Sequence, residues 1–226
     1  MAAKTKAVVL LSGGLDSAVT LFLARRKGYE CHCLSFDYGQ RHRNEIDRAR
    51  RLAHYVGCSF HEVKLRFPWK GSSLLDKHLA LPVHRSARQI RAGGMPSTYV
   101  PGRNTIFLSI ASSYAEAIGA RHVFIGAHSQ DSSGYPDCRK AYLETFDKAV
   151  RLGTKAGLEK RLSVRFPLIG KTKREIIKLG MALKVPFQLT WSCYKGGRRP
   201  CGECDSCILR AKGFKEAGIE DPTNRG

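Results

Sequence analysis

The sequence predicts an α/β fold in which a doubly wound parallel sheet precedes a small cysteine-rich module. Three observations predict it. Short apolar runs alternate with amphipathic helical stretches along most of the chain, as in folds with a parallel sheet. A glycine-rich turn joins the first apolar run to the first helical stretch, and four cysteines crowd into residues 193–207. Because 226 residues leave room for one main core and a small appended unit, we divide the chain into residues 1–185 and 186–226.

The first loop, residues 12–17 with the sequence SGGLDS, is predicted to bind phosphate. Residues 7–11 predict a buried strand before it, and residues 17–27, with Gly28 as a stop, predict a helix after it. This geometry points free backbone N–H groups and a helix N-terminus at an anion. Gly13 and Gly14 permit close backbone approach, and Asp16 is expected to cap the helix or hold a metal-bound phosphate. The alternative is a turn that binds nothing. The loop is not a Walker A loop, because no Gly-Lys-Ser/Thr follows it at the required spacing.

The later elements continue the alternation. Residues 31–36, 61–65, 122–125 and 163–166 predict strands. Helices are predicted up to residue 56, over 104–119 with Asn104 as N-cap, around 142–150 and over 208–217. Thr172 and Glu175 form a capping box that opens a further helix. Residues 66–98 lack periodicity and are interrupted by proline and glycine, which predicts an irregular basic insert and a candidate lid.

Composition restricts the functional classes. Hydrophobic residues make up 42% of the chain and charged residues 26%, as in an ordinary globular protein. No apolar run reaches the length of a membrane span, and the N-terminal run is too short for a signal peptide, so we expect a cytoplasmic protein. The net charge of +20 favours anionic ligands such as nucleotide triphosphates or nucleic acid, although scattered charges can also simply solvate the surface.

The C-terminal cysteines form a metal-ligand pattern. Two CxxC spacings overlap in Cys201, Cys204 and Cys207, and Cys193 lies eight residues upstream of the first. Four thiolates with no open position are typical of structural zinc, and an iron–sulfur cluster or free thiols are the alternatives. Such a closed site does no chemistry but stabilises the module that contains it. Cys138 and the other dispersed cysteines are expected to be small buried side chains.

The first loop resembles the pyrophosphate loop of the N-type ATP pyrophosphatases. These enzymes split ATP between its α and β phosphates and adenylate a substrate. The resemblance implies a Rossmann-like sheet of the adenine nucleotide alpha hydrolase-like type.

Six segments together resemble the 7-cyano-7-deazaguanine synthases of the queuosine and archaeosine pathways. They are residues 12–17 (SGGLDS), 36–40 (FDYGQ), 99–104 (YVPGRN), 133–139 (SGYPDCR), 190–194 (TWSCY) and 201–207 (CGECDSC). The resemblance implies an ATP-dependent C–N ligase that converts 7-carboxy-7-deazaguanine and ammonia into 7-cyano-7-deazaguanine (preQ0). Carboxylate and amide would be adenylated in turn, releasing AMP and pyrophosphate. It also implies Mg²⁺, one structural zinc per chain and a cytoplasmic homodimer that requires neither membrane nor nucleic acid.

The resemblance implies roles for the matching residues. The catalytic set is Ser12, Asp16, Ser17, Arg103 and Lys173. The ATP-binding set is Leu11, Ser12, Gly13, Gly14, Leu15, Asp16, Ser17, Phe36, Tyr38 and Gln40. The substrate-binding set is Tyr99, Pro101, Gly102, Arg103, Asn104, Asp131, Tyr135, Asp137 and Arg139. The zinc set is Cys193, Cys201, Cys204 and Cys207.

Two alternative functions remain open from the sequence. One is another pyrophosphate-loop adenylating enzyme, such as a tRNA thiolase, and the other is a non-catalytic zinc-containing RNA-binding module. The stretch 127–133 also departs from the commoner family pattern, which has an aromatic residue before the SGYPD sequence. This departure concerns the fit of the base pocket more than the reaction class.

Overall fold

Five parallel strands form the central sheet, described here from a computed structural model. The strands are β1 (Lys6–Leu10), β2 (Glu30–Asp37), β3 (Ser59–Lys64), β4 (His122–Phe124) and β5 (Ser163–Arg165). Their order is β3-β2-β1-β4-β5, so the chain turns from one half of the sheet to the other between β1 and β4. In such sheets ligands bind beyond the carboxyl ends of the strands at this switch point. The structure describes residues 3–41, 43–128 and 134–224.

Eight α-helices lie in the described ranges. They are α1 (Leu15–Arg26), α2 (Asn44–Tyr55), α3 (Ala87–Ala92), α4 (Arg103–Ala117), α5 (Lys140–Gly153), α6 (Lys155–Leu158), α7 (Lys173–Ala182) and α8 (Asp205–Ala217). None of them combines the length and the apolar character that a membrane crossing requires. The fold class predicted from the sequence is confirmed.

The first strand explains why an apolar run predicted a parallel sheet. Ala7 and Val9 belong to one buried cluster, which includes residues of α1, α2, α7 and α8. Val8 and Leu10 point to the other face and belong to a second cluster, which includes residues of α4 and α5. Since both faces of the sheet are covered, neither set of alternate positions faces water, and the strand is apolar and buried from Ala7 to Leu10.

Helix capping followed the sequence prediction at one helix and departed from it at two. The capping box of α7 is present: the Thr172 hydroxyl accepts from the Glu175 N–H, and the Glu175 carboxylate accepts from the Thr172 N–H at 2.7 Å. The prediction that Asn104 caps α4 is wrong, because Gly102, in the left-handed conformation, is the N-cap. A carboxylate from a distant loop, Asp137, instead accepts the Asn104 N–H at 2.9 Å. Asp16 likewise does not cap α1, whose N-cap is Gly14.

The insert 66–98 packs against the cysteine-rich segment. It is irregular, as predicted, except for α3, which begins with a capping box between Ser86 and Gln89. Val83 forms an isolated antiparallel bridge with Cys204, and Arg85 pairs with the buried carboxylate of Asp205 at the start of α8. These partners lie more than 100 residues away along the chain, so local periodicity could not indicate them. That the insert acts as a lid stays a prediction.

Helix α8 packs against the main core. Phe214 is 2% exposed and meets the ring of Phe187 edge-on at 5.4 Å. On the same helix the buried guanidinium of Arg210 donates to Asp221 at 2.6 and 3.0 Å and to the Thr190 hydroxyl at 2.7 Å. This network ties the end of the chain to the segment that precedes the cysteines.

Candidate active site

A cavity of about 300 Å³ opens at the carboxyl ends of β1, β2 and β4, where the topology places a ligand site. Thirteen of the residues predicted to function line it. They are Leu11, Ser12, Gly14, Leu15, Asp16, Ser17, Phe36, Tyr38, Gln40, Arg103, Asn104, Tyr135 and Lys173. The tertiary structure therefore brings the first loop, the end of β2 and the start of α4 to one place.

Hydroxyl groups hold the first loop in shape. The Ser17 hydroxyl donates to the Gly14 carbonyl at 3.0 Å and accepts from the Ser12 N–H at 3.2 Å. The Ser12 hydroxyl in turn accepts from the Gly14 N–H at 3.3 Å. Because the first-turn amides of α1 have no carbonyl one turn earlier, their N–H groups are available to an anion at the loop.

Two glycines permit the close packing around this loop. Gly13 has φ +82°, and a Cβ atom there would overlap the carbonyl oxygen of Glu45 in the first turn of α2. Gly126 follows β4, and a Cβ atom there would lie 3.0–3.1 Å from the backbone of Asp16 and Ser17. Gly13, predicted from the sequence to belong to the ATP site, lets α2 approach the loop, and its contact with ATP stays a prediction. Gly126 was not singled out from the sequence.

Asp16, Lys173 and His128 form a charged cluster beside the loop. The Lys173 ammonium donates to both Asp16 carboxylate oxygens at 2.9 and 2.8 Å and lies 2.9 Å from Nε2 of His128. Burial alone would raise the pKa of Asp16, but the Lys173 charge and His128 together hold it well below its usual range. His128 is 1% exposed. Sequence reasoning did not assign it a role, although its place just after β4, at the switch point, was an available signal.

Arg103 faces the cavity from the start of α4. Its guanidinium donates to the Tyr38 hydroxyl at 3.1 Å, and among the described residues it forms no ion pair with a carboxylate. Its guanidinium carbon also lies 5.8 Å from the centre of the Tyr38 ring. Phe36 and Phe107 line the same cavity and stack on each other with ring centroids 4.0 Å apart and planes 2° apart. A planar cation and aromatic rings in one cavity suit a flat ligand that carries an anionic group.

Residues near the C-terminus, between Trp191 and Leu209, supply a wall of the cavity that was not predicted from the sequence. The Trp191 N–H donates to the Gly13 carbonyl at 2.9 Å, and its indole N–H donates to the Cys193 carbonyl at 2.9 Å. Ser192, Tyr194, Ser206 and Leu209 also line the cavity. The TWSCY segment (residues 190–194) is one of the six segments that carry the family resemblance. In the structure it lies beside the first loop.

Five predicted substrate residues in the described part of the chain do not line the cavity: Tyr99, Pro101, Gly102, Asp137 and Arg139. Asp137 is buried and holds the start of α4, and Arg139 is exposed at the N-cap of α5. The Tyr99 hydroxyl accepts the Gly102 N–H at 3.2 Å, and Pro101 between them is exposed. Asp131 lies outside the described residues. Substrate contacts of these residues stay predictions.

The four cysteines form a compact cluster. The four sulfur atoms of Cys193, Cys201, Cys204 and Cys207 all lie within 4.8 Å of one another. Backbone N–H groups donate to two of the sulfurs, from Cys201 to Cys193 at 3.3 Å and from Cys204 to Cys201 at 3.4 Å. Four sulfurs about 2.3 Å from a central ion would be about 3.8 Å apart, so the cluster is compatible with tetrahedral zinc.

Comparison with known families decides the assignment of the chain. The family model described as "Queuosine biosynthesis protein QueC" matches residues 6–218. The chain belongs to this family. The resemblance stated from the six segments is thereby confirmed, since the match includes all of them.

The chain is similar to curated relatives over nearly its full length. One from Thermoplasma acidophilum, named 7-cyano-7-deazaguanine synthase, is 52% identical over 97% of this chain and 91% of its own length. A second of the same name, from an Anaeromyxobacter species, is 52% identical over 96% of this chain and 95% of its own. Among solved structures, an NMN synthetase from Francisella tularensis has a TM-score of 0.50 at 15% identity, covering 96% of this chain and 79% of that one. This last likeness concerns the fold alone.

Proposed function

We propose that this chain is an ATP-dependent 7-cyano-7-deazaguanine synthase. The observation that carries the proposal is one cavity lined by a phosphate-binding loop, a charged Asp16–Lys173 pair and the Arg103 guanidinium, in a chain of the QueC family. Relatives that carry this name are about half identical to it over almost its whole length. Family membership favours this activity over a tRNA thiolase or a non-catalytic RNA-binding module.

The loop and Lys173 would act on ATP. The first-turn amides of α1 and the Ser12 hydroxyl would hold phosphate oxygens, while the Ser17 hydroxyl, which donates to the Gly14 carbonyl, would keep the loop in shape, and the Lys173 ammonium would neutralise the departing pyrophosphate. Lys173 would have to release Asp16 to do so, which frees that carboxylate to hold a metal-bound phosphate. When bound, Mg²⁺ would supply charge neutralisation at the triphosphate.

Arg103 would hold the reacting group of the substrate. A carboxylate resists ammonia because its oxygen is a poor leaving group, and adenylation joins that oxygen to AMP so that it can leave as part of AMP. The fork of a guanidinium fits a carboxylate, and after the first half-reaction it can still donate to the amide oxygen. The stacked rings of Phe36 and Phe107 offer a flat wall for a deazapurine.

The cysteine cluster would bind one zinc ion, which supplies no chemistry but fixes the segment from Trp191 to Tyr194 against the loop. Its ligands would be Cys193, Cys201, Cys204 and Cys207. A cytoplasmic homodimer that requires neither membrane nor nucleic acid is also part of the proposal, and sedimentation of the purified protein tests the dimer.

A substrate assay tests the function. Purified protein is incubated with ATP, Mg²⁺, ammonia and 7-carboxy-7-deazaguanine, and the products are followed by mass spectrometry. We expect the amide first and the nitrile later, with two AMP and two pyrophosphate per nitrile. Asp16→Ala should abolish both products, whereas Asp47→Ala, on the exposed face of α2, should retain them. Absence of amide and nitrile with the unmodified protein would refute the proposal.

A further inference from the structure

The carboxyl group of Glu45 opens on the cavity and has no role in the function proposed above. Glu45 lies in the first turn of α2, is partly buried and lines the cavity, and its carboxyl group interacts through its charge with Arg103 and Tyr38 of the same lining. Among the described residues, no hydrogen bond or ion pair engages this carboxyl group. A carboxyl group left unpaired in a binding cavity is a candidate for proton transfer.

The backbone places Glu45 next to the phosphate-binding loop. Its carbonyl oxygen lies so close to Gly13 that only a glycine fits there, so the first turn of α2 lies against the loop. Arg103 interacts with Glu45 through its charge, but the two groups are not within ion-pair distance. A ligand group can therefore lie between a cation that holds oxygen and a carboxylate that can accept a proton.

The surroundings of Glu45 suit a base that works near neutral pH. Burial raises the pKa of Glu45 to about 7, against the opposing charge of Arg103 and with a smaller contribution from Cys193 in the C-terminal wall. Tyr38, at the end of β2, also faces it, and the Glu45 charge helps to raise the pKa of that phenol. A general base is most effective when its pKa lies near the working pH.

We propose that Glu45 is the general base that takes protons from the substrate nitrogen, an assignment that rests on the proposed synthase function. In the first half-reaction ammonia attacks the acyl-adenylate and AMP leaves. The nitrogen of the new C–N bond is then positively charged, and Glu45 accepts one of its protons. In the second, the nitrogen of the adenylated amide loses the first of its two protons to solvent and the second, N–H, proton to Glu45. The electron pair of that N–H bond becomes the third C–N bond, while the C–O bond breaks and AMP carries away its electron pair.

The test begins from the amide, so that only the nitrile-forming half is measured. Glu45→Gln keeps the shape of the side chain but cannot accept the proton, and we expect nitrile formation to fall by about 10²- to 10⁴-fold. Adenylation needs no base, so a single burst of pyrophosphate should still appear in rapid-quench experiments. Asp47→Asn on the exposed face of the same helix is the matched control.

A pH profile separates a base from a structural residue. With the unmodified protein, nitrile formation from the amide should rise through about pH 7, the value to which burial raises the Glu45 pKa, and then level off. That rise should be absent in Glu45→Gln. Glu45→Asp keeps a carboxyl group on a shorter side chain, and it should retain a reduced rate that still rises with pH.

The outcomes separate this inference from the function it rests on. If the unmodified protein makes no nitrile, the proposed function fails. If the unmodified protein is active but Glu45→Gln makes nitrile within about threefold of its rate, Glu45 is not the base. A higher KM for ATP at unchanged kcat would make Glu45 a nucleotide contact and overturn the inference. If Glu45→Gln does not fold, a flat pH profile in Glu45→Asp would overturn it.

Discussion

Replacing Lys173 with methionine is the sharpest test of the charged cluster. The side chain is of similar length, but the change removes an ammonium whose nitrogen lies 2.8 and 2.9 Å from the Asp16 oxygens and 2.9 Å from His128 Nε2. Two effects follow from the structure. Under the proposed function the departing pyrophosphate would lose a neutralising cation, and the Asp16 carboxylate loses the charge that does most to lower its pKa.

The change affects the reaction rate and the stability of the protein by different amounts. Removing one donor aimed at developing charge typically costs about 10²- to 10³-fold in rate, or about 2.7–4 kcal/mol. For stability, the side chains of Lys173 and Asp16 are 13% and 25% exposed, so the pair is intermediate between surface and fully buried ion pairs. We therefore expect a loss of about 1–2 kcal/mol in the free energy of unfolding. For a chain of this size that corresponds to a Tm lower by about 2–8 °C.

The assay measures pyrophosphate release with 7-carboxy-7-deazaguanine and ATP, together with thermal unfolding. Lys178→Met, on the exposed side of the same helix, is the control and should match the unmodified protein in both measurements. Lys173→Arg should recover part of the rate, because it restores a cation. Pyrophosphate release by Lys173→Met at more than half of the unmodified rate would refute the role assigned to this lysine.

Three further changes probe the frame of the site. Gly13→Ala should abolish ATP turnover and lower the Tm, because φ is +82° there and the new methyl group would overlap the Glu45 carbonyl; intact turnover would contradict this packing. Asp221→Ala should lower the urea-unfolding free energy by about 3–5 kcal/mol, since it leaves the Arg210 guanidinium buried and unpaired. Burial would raise the pKa of Asp221, but Arg210 holds it below its usual value, so the stability from this pair is present above about pH 4 and lost as pH falls further. Cys204→Ser should lower the zinc content, measured by atomic emission, well below one per chain; an unchanged content would argue against the four-cysteine site.

The fold was largely predictable because its signals are local. The strand before the first loop is buried on both faces, so its apolar character alone indicated a parallel sheet. The capping box at Thr172 and Glu175 uses groups three residues apart, so its sequence pattern fixed the start of α7. The N-cap prediction at Asn104 failed because the group that satisfies that helix end, Asp137, comes from a loop 33 residues away.

The site was predictable only where its residues form a continuous motif. The sequence by itself determined the family and the clustering of the four cysteines, and it predicted a phosphate-binding role for the first loop, since each signal is a short run of residues with fixed spacing. Only the tertiary structure decided that His128 touches Lys173, that Trp191 donates to the loop, and that the Glu45 carboxyl group faces the cavity. These contacts depend on how distant helices pack across the sheet. No spacing along the chain encodes such packing. It arises because helices cover both faces of the sheet, which brings loops from distant parts of the chain together at one switch point.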